Sequence, residues 1–182
     1  MKIFLIRHGL TGGNLDGRYI GCGTDEGLCD QGISLLRQLH LPQTGRVYAS
    51  PMLRFLQSAA ILYPGIKPRI VDDFRECDFG AFEGKSYREL NGRADYQAWI
   101  DSGGEAPFPG GESRAQFAKR SLAAFRALDL YKKDEDCALV VHGGTIMAVM
   151  EAMARPAGSY FDFQVKCGHG FVLYDDGRYE KI

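Results

Sequence analysis

Two histidines stand where apolar runs stop: KIFLI gives way to Arg7-His8-Gly9, and CALVV gives way to His142-Gly143-Gly144. Such runs read as buried strands, and in open α/β sheets ligands bind beyond the carboxyl ends of the strands. An imidazole in that place can act as a nucleophile, as an acid or base, or as a donor to an anion. The glycines that follow let backbone N–H groups approach a ligand, and Gly143-Gly144 also opens a helix-like run whose N-terminus favours negative charge. Arg7 stands beside His8. Arg54 lies in the first turn of another helix-like run, SPMLRFLQSAAILY (50–63), where side chains lean back toward the N-terminus. Two guanidinium groups, two helix starts and two histidines at one sheet edge describe a pocket for a phosphoryl group, because guanidinium matches phosphate oxygens in pairs.

Each piece alone has a plainer reading: a strand end with a surface arginine, or a histidine packed in a core. Rival chemistries each lack a partner. His142-Gly143-Gly144 is similar to the oxyanion loop of lipases, but the nearest match to a nucleophile elbow, Gly111-Glu112-Ser113-Arg114-Ala115, follows a proline-rich loop and lacks the final glycine. Asp78-Phe79-Gly80 is similar to the kinase metal-binding triplet without its phosphate loop or catalytic HRD. Cys167-Gly168-His169 has no second ligand pair at short spacing. A metal-dependent hydrolase built on His8, His142 and His169 stays open as an alternative. So does a non-catalytic binder of a phosphorylated ligand.

The elements that must position these residues follow from periodicity. Strands are expected at 2–7, 46–50, 69–74, 137–142 and 170–180, the last with a turn. Helices are expected at 30–39, 50–63, 112–128 and 144–154, the second with Ser50 as N-cap and Pro51 in its first position. Alternating strands and helices predict an α/β fold, a three-layer αβα sandwich with a mostly parallel central sheet. The looser stretch 74–111 reads as an insertion covering one end of the sheet within a single domain, 1–182. The chain has 182 residues with 22 basic against 23 acidic, so an anion must be held by local groups and no nucleic-acid partner is implied. No run is long enough to span a membrane, and Ile3–Ile6 is too short for a signal peptide. Five cysteines without CxxC spacing then read as reduced thiols of a cytoplasmic protein.

Taken in order, the motifs resemble the histidine phosphatase superfamily (phosphoglycerate mutase-like) over nearly the whole chain. LIRHGLTGGN resembles the RHGxTxxN opening, GRYIGCGTDEGLCDQG the loop after it, and YASPMLRFLQSA the SPxxRxxQTA helix. FRECDFGAFEG resembles ExxFGxxEG, PGGES the next helix start, and VVHGGT the second histidine. The resemblance implies that His8 carries the phosphoryl group, that Arg7, Arg54 and His142 hold its oxygens, and that Glu76 serves as general acid and base with a raised pKa. It implies substrate contacts for Asn14, Thr11 and Gly143, a structural or substrate-side role for Glu83, and no metal or other cofactor. Leu10, Gly27, Cys29 and Phe82 depart from the family pattern without removing a catalytic group.

A short chain with few basic residues in 74–111 points to one-way hydrolysis of a small phosphate ester ahead of mutase chemistry. The segment YQAWIDSGGEAPFPGGES is similar to the α-ribazole phosphatases of cobalamin assembly. Phe79, Phe82, Tyr87, Tyr96 and Trp99 could stack on the aromatic base of such a substrate or simply pack the insertion. A broad sugar-phosphate or nucleotide phosphatase is the alternative.

Overall fold

The computed structural model describes residues 1–133 and 135–182. In strand β1 (Lys2–Arg7), Ile3 and Leu5 point to one side of the sheet while Phe4 and Ile6 point to the other, and all four are buried. Strand β4 (Cys137–Val141) repeats the pattern, with Cys137, Leu139 and Val141 opposite Ala138 and Val140. Period-two alternation that is apolar on both faces demands a cover on each side. Helices α2 (Asp30–Arg37) and α3 (Leu53–Leu62) supply one, and α6 (Arg114–Ala127) and α7 (Gly143–Met153) the other. The result is the expected αβα sandwich.

The sheet has six strands in the order β3-β2-β4-β1-β5-β6, where β2 is Val47–Ala49, β3 Arg69–Ile70, β5 Gly170–Tyr174 and β6 Tyr179–Lys181. Strands β1 to β4 are mutually parallel, and β5 and β6 run antiparallel as a hairpin. Four parallel strands therefore deliver their carboxyl ends to one edge. His8 follows β1, Ser50 follows β2, the chain toward Glu76 follows β3, and His142 follows β4.

Three expected boundaries shift. The strand expected at 69–74 keeps only Arg69–Ile70, and Asp72–Phe74 turns into a 3-10 helix. The helix expected from Ser50 begins at Leu53, with Met52 as an N-cap in extended conformation and no side-chain cap. Ser50 is instead drawn into the sheet edge, where its N–H donates to Val140 (3.3 Å). The closing run 170–180 divides around a turn into β5 and β6.

Between β3 and α6 the chain forms two 3-10 turns (Asp72–Phe74 and Gly80–Phe82) and two short helices, α4 (Tyr87–Leu90) and α5 (Ala94–Asp101). Its own small core joins Cys77, Phe82, Leu90 and Phe108 to Phe117 of α6. Gly80 has φ +50°, and a Cβ there would collide with the Pro109 carbonyl oxygen, so only glycine lets the two arms of this loop touch. Serine N-caps with reciprocal side-chain bonds fix α4 (Ser86 with Glu89) and α6 (Ser113 with Gln116), at about 1 kcal/mol each. The remaining helix, α1 (Gly12–Leu15), is a single turn after the RHG segment.

Candidate active site

His8 is buried at the end of β1, and its Nδ1 lies 2.7 Å from the Gly9 carbonyl oxygen. A carbonyl can only accept, so Nδ1 carries the hydrogen and Nε2 keeps a free lone pair. Burial, reinforced by the neighbouring His142 ring and the charges of Arg7 and Arg54, holds the His8 pKa well below 6.5. The imidazole is neutral at physiological pH. The turn beneath it is pinned by α3: Gly9 N–H donates to Ser58 Oγ (3.0 Å), which donates to the Arg54 carbonyl (2.6 Å).

His142 sits 5.9 Å from His8, ring centre to ring centre, and both rings pack on Phe55. Its Nδ1 lies 2.7 Å from Glu76 Oε2, and its Nε2 lies 3.2 Å from Ser50 Oγ. The contact to Glu76 is short yet poorly aligned as a hydrogen bond. The adjacency of Ser50 and His142 follows from register: Ala49 pairs with Val140, so the residues after β2 and β4 emerge side by side. Burial, only partly offset by Glu76, lowers His142 to about 4. A neutral ring with its hydrogen on Nδ1, facing the carboxylate, accepts at Nε2 from the Ser50 hydroxyl.

The raised pKa expected for Glu76 belongs to a carboxyl beside a bound phosphate; among the protein's own groups the shift is downward. Burial alone would raise it, but the His142 contact, the Cys77 N–H (3.0 Å to Oε1) and the nearby Arg54 charge outweigh burial and hold it near 2. The unliganded site therefore holds a carboxylate.

The arginines divide their bonds. Arg54, only 1% exposed, donates to the carbonyls of Thr24 (3.1 Å), Gly21 (3.4 Å) and Ile20 (3.5 Å), so the loop after α1 builds its socket. Arg7 Nη1 donates to Val165 (2.8 Å), while its Nε is buried without a partner among the described residues. Gly143, the first residue of α7, lies against the Arg7 guanidinium. An unpaired guanidinium N–H and the free amides of a helix start converge as an anion site.

The other expected site residues sit further out. Thr11 caps α1 through its hydroxyl, which accepts from Asn14 N–H (3.2 Å), and Asn14 Oδ1 accepts from Thr11 N–H (3.3 Å) and from Cys167 Sγ (3.5 Å). Among the described residues no hydrogen bond joins either one to the histidines. Glu83 accepts from Gly21 N–H (2.8 Å), tying down the loop that holds Arg54. His169 is exposed on the turn before β5, and among the described residues no three His, Cys, Asp or Glu side chains cluster as metal ligands.

Beyond Arg7, Glu76 and Gly143 opens a cleft of about 600 Å³ with several aromatic rings in its walls. Of the aromatic residues singled out in the sequence only Phe79 and Trp99 line it; Phe82 is core, and Trp99 stacks with Tyr96 and Phe108. Tyr19, Phe108, Phe117, Tyr160 and Phe161 add further rings to the wall. Two further residues carry no sequence signal. Arg120 grips Glu112 with both Nε (3.0 Å) and Nη2 (2.7 Å), and donates to the carbonyls of Asp73 (2.6 Å) and Arg75 (3.1 Å), bracing the backbone that carries Glu76.

Comparison with known proteins agrees with this architecture. The model of the histidine phosphatase superfamily (branch 1) matches residues 3–179. The adenosylcobalamin/alpha-ribazole phosphatase of Salmonella typhimurium is 27% identical over 177 residues, covering 92% of this chain and 87% of that protein. The phosphoglycerate mutase structure from Thermus thermophilus is 30% identical, with a TM-score of 0.75 over 99% of this chain and 96% of that one. The alpha-ribazole phosphatase structure from Shigella flexneri shares the fold at a TM-score of 0.82 and 24% identity, covering 97% and 92%. With the family matched from the first strand to the last, this chain belongs to the histidine phosphatase superfamily, branch 1.

Proposed function

We propose that this phosphatase is a metal-independent phosphomonoesterase working through a phosphohistidine at His8, with α-ribazole 5′-phosphate as its substrate. One observation carries the mechanism: His8 is buried and neutral, with Nδ1–H spent on the Gly9 carbonyl. The free Nε2 lone pair bonds to phosphorus as the phosphorus–oxygen bond to the leaving group breaks. Arg7, Arg54 and the amide of Gly143 take up charge on the non-bridging oxygens, with Asn14 and Thr11 bounding the pocket. His142 joins them once the phosphate's charge raises its affinity for protons and Nε2 gains one from solvent. Glu76 protonates the leaving alkoxide. Its carboxylate takes that proton from the bound phosphate monoanion, whose remaining charge raises the carboxylate's affinity for protons. Glu76 then takes a proton from water as the water oxygen bonds to phosphorus. The phosphorus–Nε2 bond breaks, inorganic phosphate leaves and His8 is neutral again.

The aromatic cleft supports a leaving group with a flat apolar base, and the naming of the Salmonella relative supports α-ribazole. In this reading the segment 74–111 covers the site, inside one domain. The free cysteines suit a reducing cytoplasm. The test is phosphate release from α-ribazole 5′-phosphate and a panel of simple esters, with chelator present, by wild type and His8→Ala. Strong preference for α-ribazole phosphate, lost in the variant, is expected. Turnover spread evenly over the panel leaves a broad-specificity phosphatase, and no turnover of any ester overturns the reading.

A further inference from the structure

The rim of the cleft carries one charge relationship that the reaction does not use. Among the described residues the cleft is lined by two cations, Arg7 and Arg114. Arg7 belongs to the anion site. Arg114, the first residue of α6, lies over the rings of Tyr160 (5.4 Å) and Phe161 (5.1 Å) on one wall. Glu105, in the loop after α5 and next to the lining residue Gly104, forms an ion pair with its guanidinium. Exposed lining residues beside them include Ile100 (46%), Phe161 (58%) and the uncharged Gln164.

Building on the phosphatase reading, we propose that Glu105 and Arg114 are specificity-determining residues. Glu105 occupies the one rim cation, so the leaving-group end of the cleft presents apolar surface without a free positive charge. Esters with an uncharged leaving group meet rings, aliphatic side chains and the uncharged Gln164. Esters carrying a carboxylate near the phosphate, such as phosphoglycerate or phosphoserine, must displace Glu105 from Arg114 or leave their own charge unpaired in an apolar cleft. The pair lies at the solvent edge, so displacing it costs little, and the bias it sets is a matter of severalfold.

The experiment compares kcat/KM for p-nitrophenyl phosphate with kcat/KM for phosphoserine and 3-phosphoglycerate. Wild type, Glu105→Gln, Arg114→Gln and the double variant are assayed at low and high salt. Freeing Arg114 in Glu105→Gln is expected to raise the carboxylate-to-aryl ratio by about 3- to 5-fold at low salt. The gain is expected to shrink at high salt and to vanish in the double variant. An unchanged ratio in Glu105→Gln, or a gain that survives in the double variant, overturns the proposal while aryl phosphate turnover leaves the phosphatase reading intact. Loss of all turnover by wild type overturns both.

Discussion

Replacing Ser50 by alanine removes one oxygen, at a side chain that is 0% exposed and 3.2 Å from His142 Nε2. The missing hydroxyl leaves a buried acceptor without its donor, a loss of about 1–3 kcal/mol in stability. For a chain of this length about 2 kcal/mol lowers Tm by roughly 4–8 °C. The catalytic effect is separate. With the hydroxyl present, His142 Nε2 accepts, so Nδ1 holds the hydrogen that faces Glu76 Oε2 at 2.7 Å. Without it the hydrogen can move to Nε2 and set a lone pair against a carboxylate. The charge-assisted contact at stake is worth about 1.5–3 kcal/mol, which translates to roughly 10- to 100-fold in kcat. The assay is steady-state hydrolysis of an aryl phosphate across pH, with circular dichroism and Tm on the same samples. Ser50→Thr keeps the hydroxyl and is expected to restore the wild-type pH profile. A folded Ser50→Ala enzyme with wild-type kcat and an unmoved pH profile refutes the argument that Ser50 sets the protonation geometry of the pair.

Arg120→Met removes the brace behind Glu76 and leaves Glu112 without its partner; kcat is expected to fall about tenfold, with KM nearly unchanged, in steady-state kinetics. Gly80→Ala forces a Cβ against the Pro109 oxygen at φ +50°, so a loss of about 2–3 kcal/mol is expected in denaturant unfolding. His8 and His142 both have pKa values lowered from 6.5, His142 to about 4, so below pH 6.5 the unfolded chain binds protons that the folded chain refuses. Stability is therefore expected to fall as pH drops from 6.5 toward 4, by at most about 1.4 kcal/mol per pH unit for each group. Glu76, lowered from 4.5 to about 2, adds its own loss from the lower end of that window, as pH falls from 4.5 toward 2. Urea unfolding at several pH values checks the slope, and flat stability from pH 7 to 5 contradicts it.

How far the site could be read from the sequence depended on whether its signals were local. Strand alternation, Arg7-His8-Gly9 and His142-Gly143-Gly144 each lie within a few consecutive residues, and the parallel sheet brings both histidines to one edge as expected. Ser50 was legible as a helix cap because Ser-Pro commonly opens helices. The tertiary neighbour His142 and the register of β2 against β4 claimed its hydroxyl instead. The low pKa of Glu76 depends on an imidazole 66 positions away in the chain, which no local pattern reveals. Arg120 and Glu112 are eight residues apart, a spacing without meaning until the loop before α6 folds back. The aromatic cleft was half legible: residues in 74–111 drew notice, but Tyr160 and Phe161 come from a distant part of the chain, after α7.

The central claim is that phosphorus is bonded to His8 during turnover. Rapid acid-free quenching of wild-type enzyme mixed with an aryl phosphate, followed by proteolysis and peptide mass spectrometry at neutral pH, tests it most directly. The account predicts one added phosphoryl group on the peptide bearing His8, absent in His8→Ala and longer lived in Glu76→Gln, where water loses its general base. An active enzyme with no phosphorylated His8 peptide at any quench time, or phosphorylation on another residue, contradicts it.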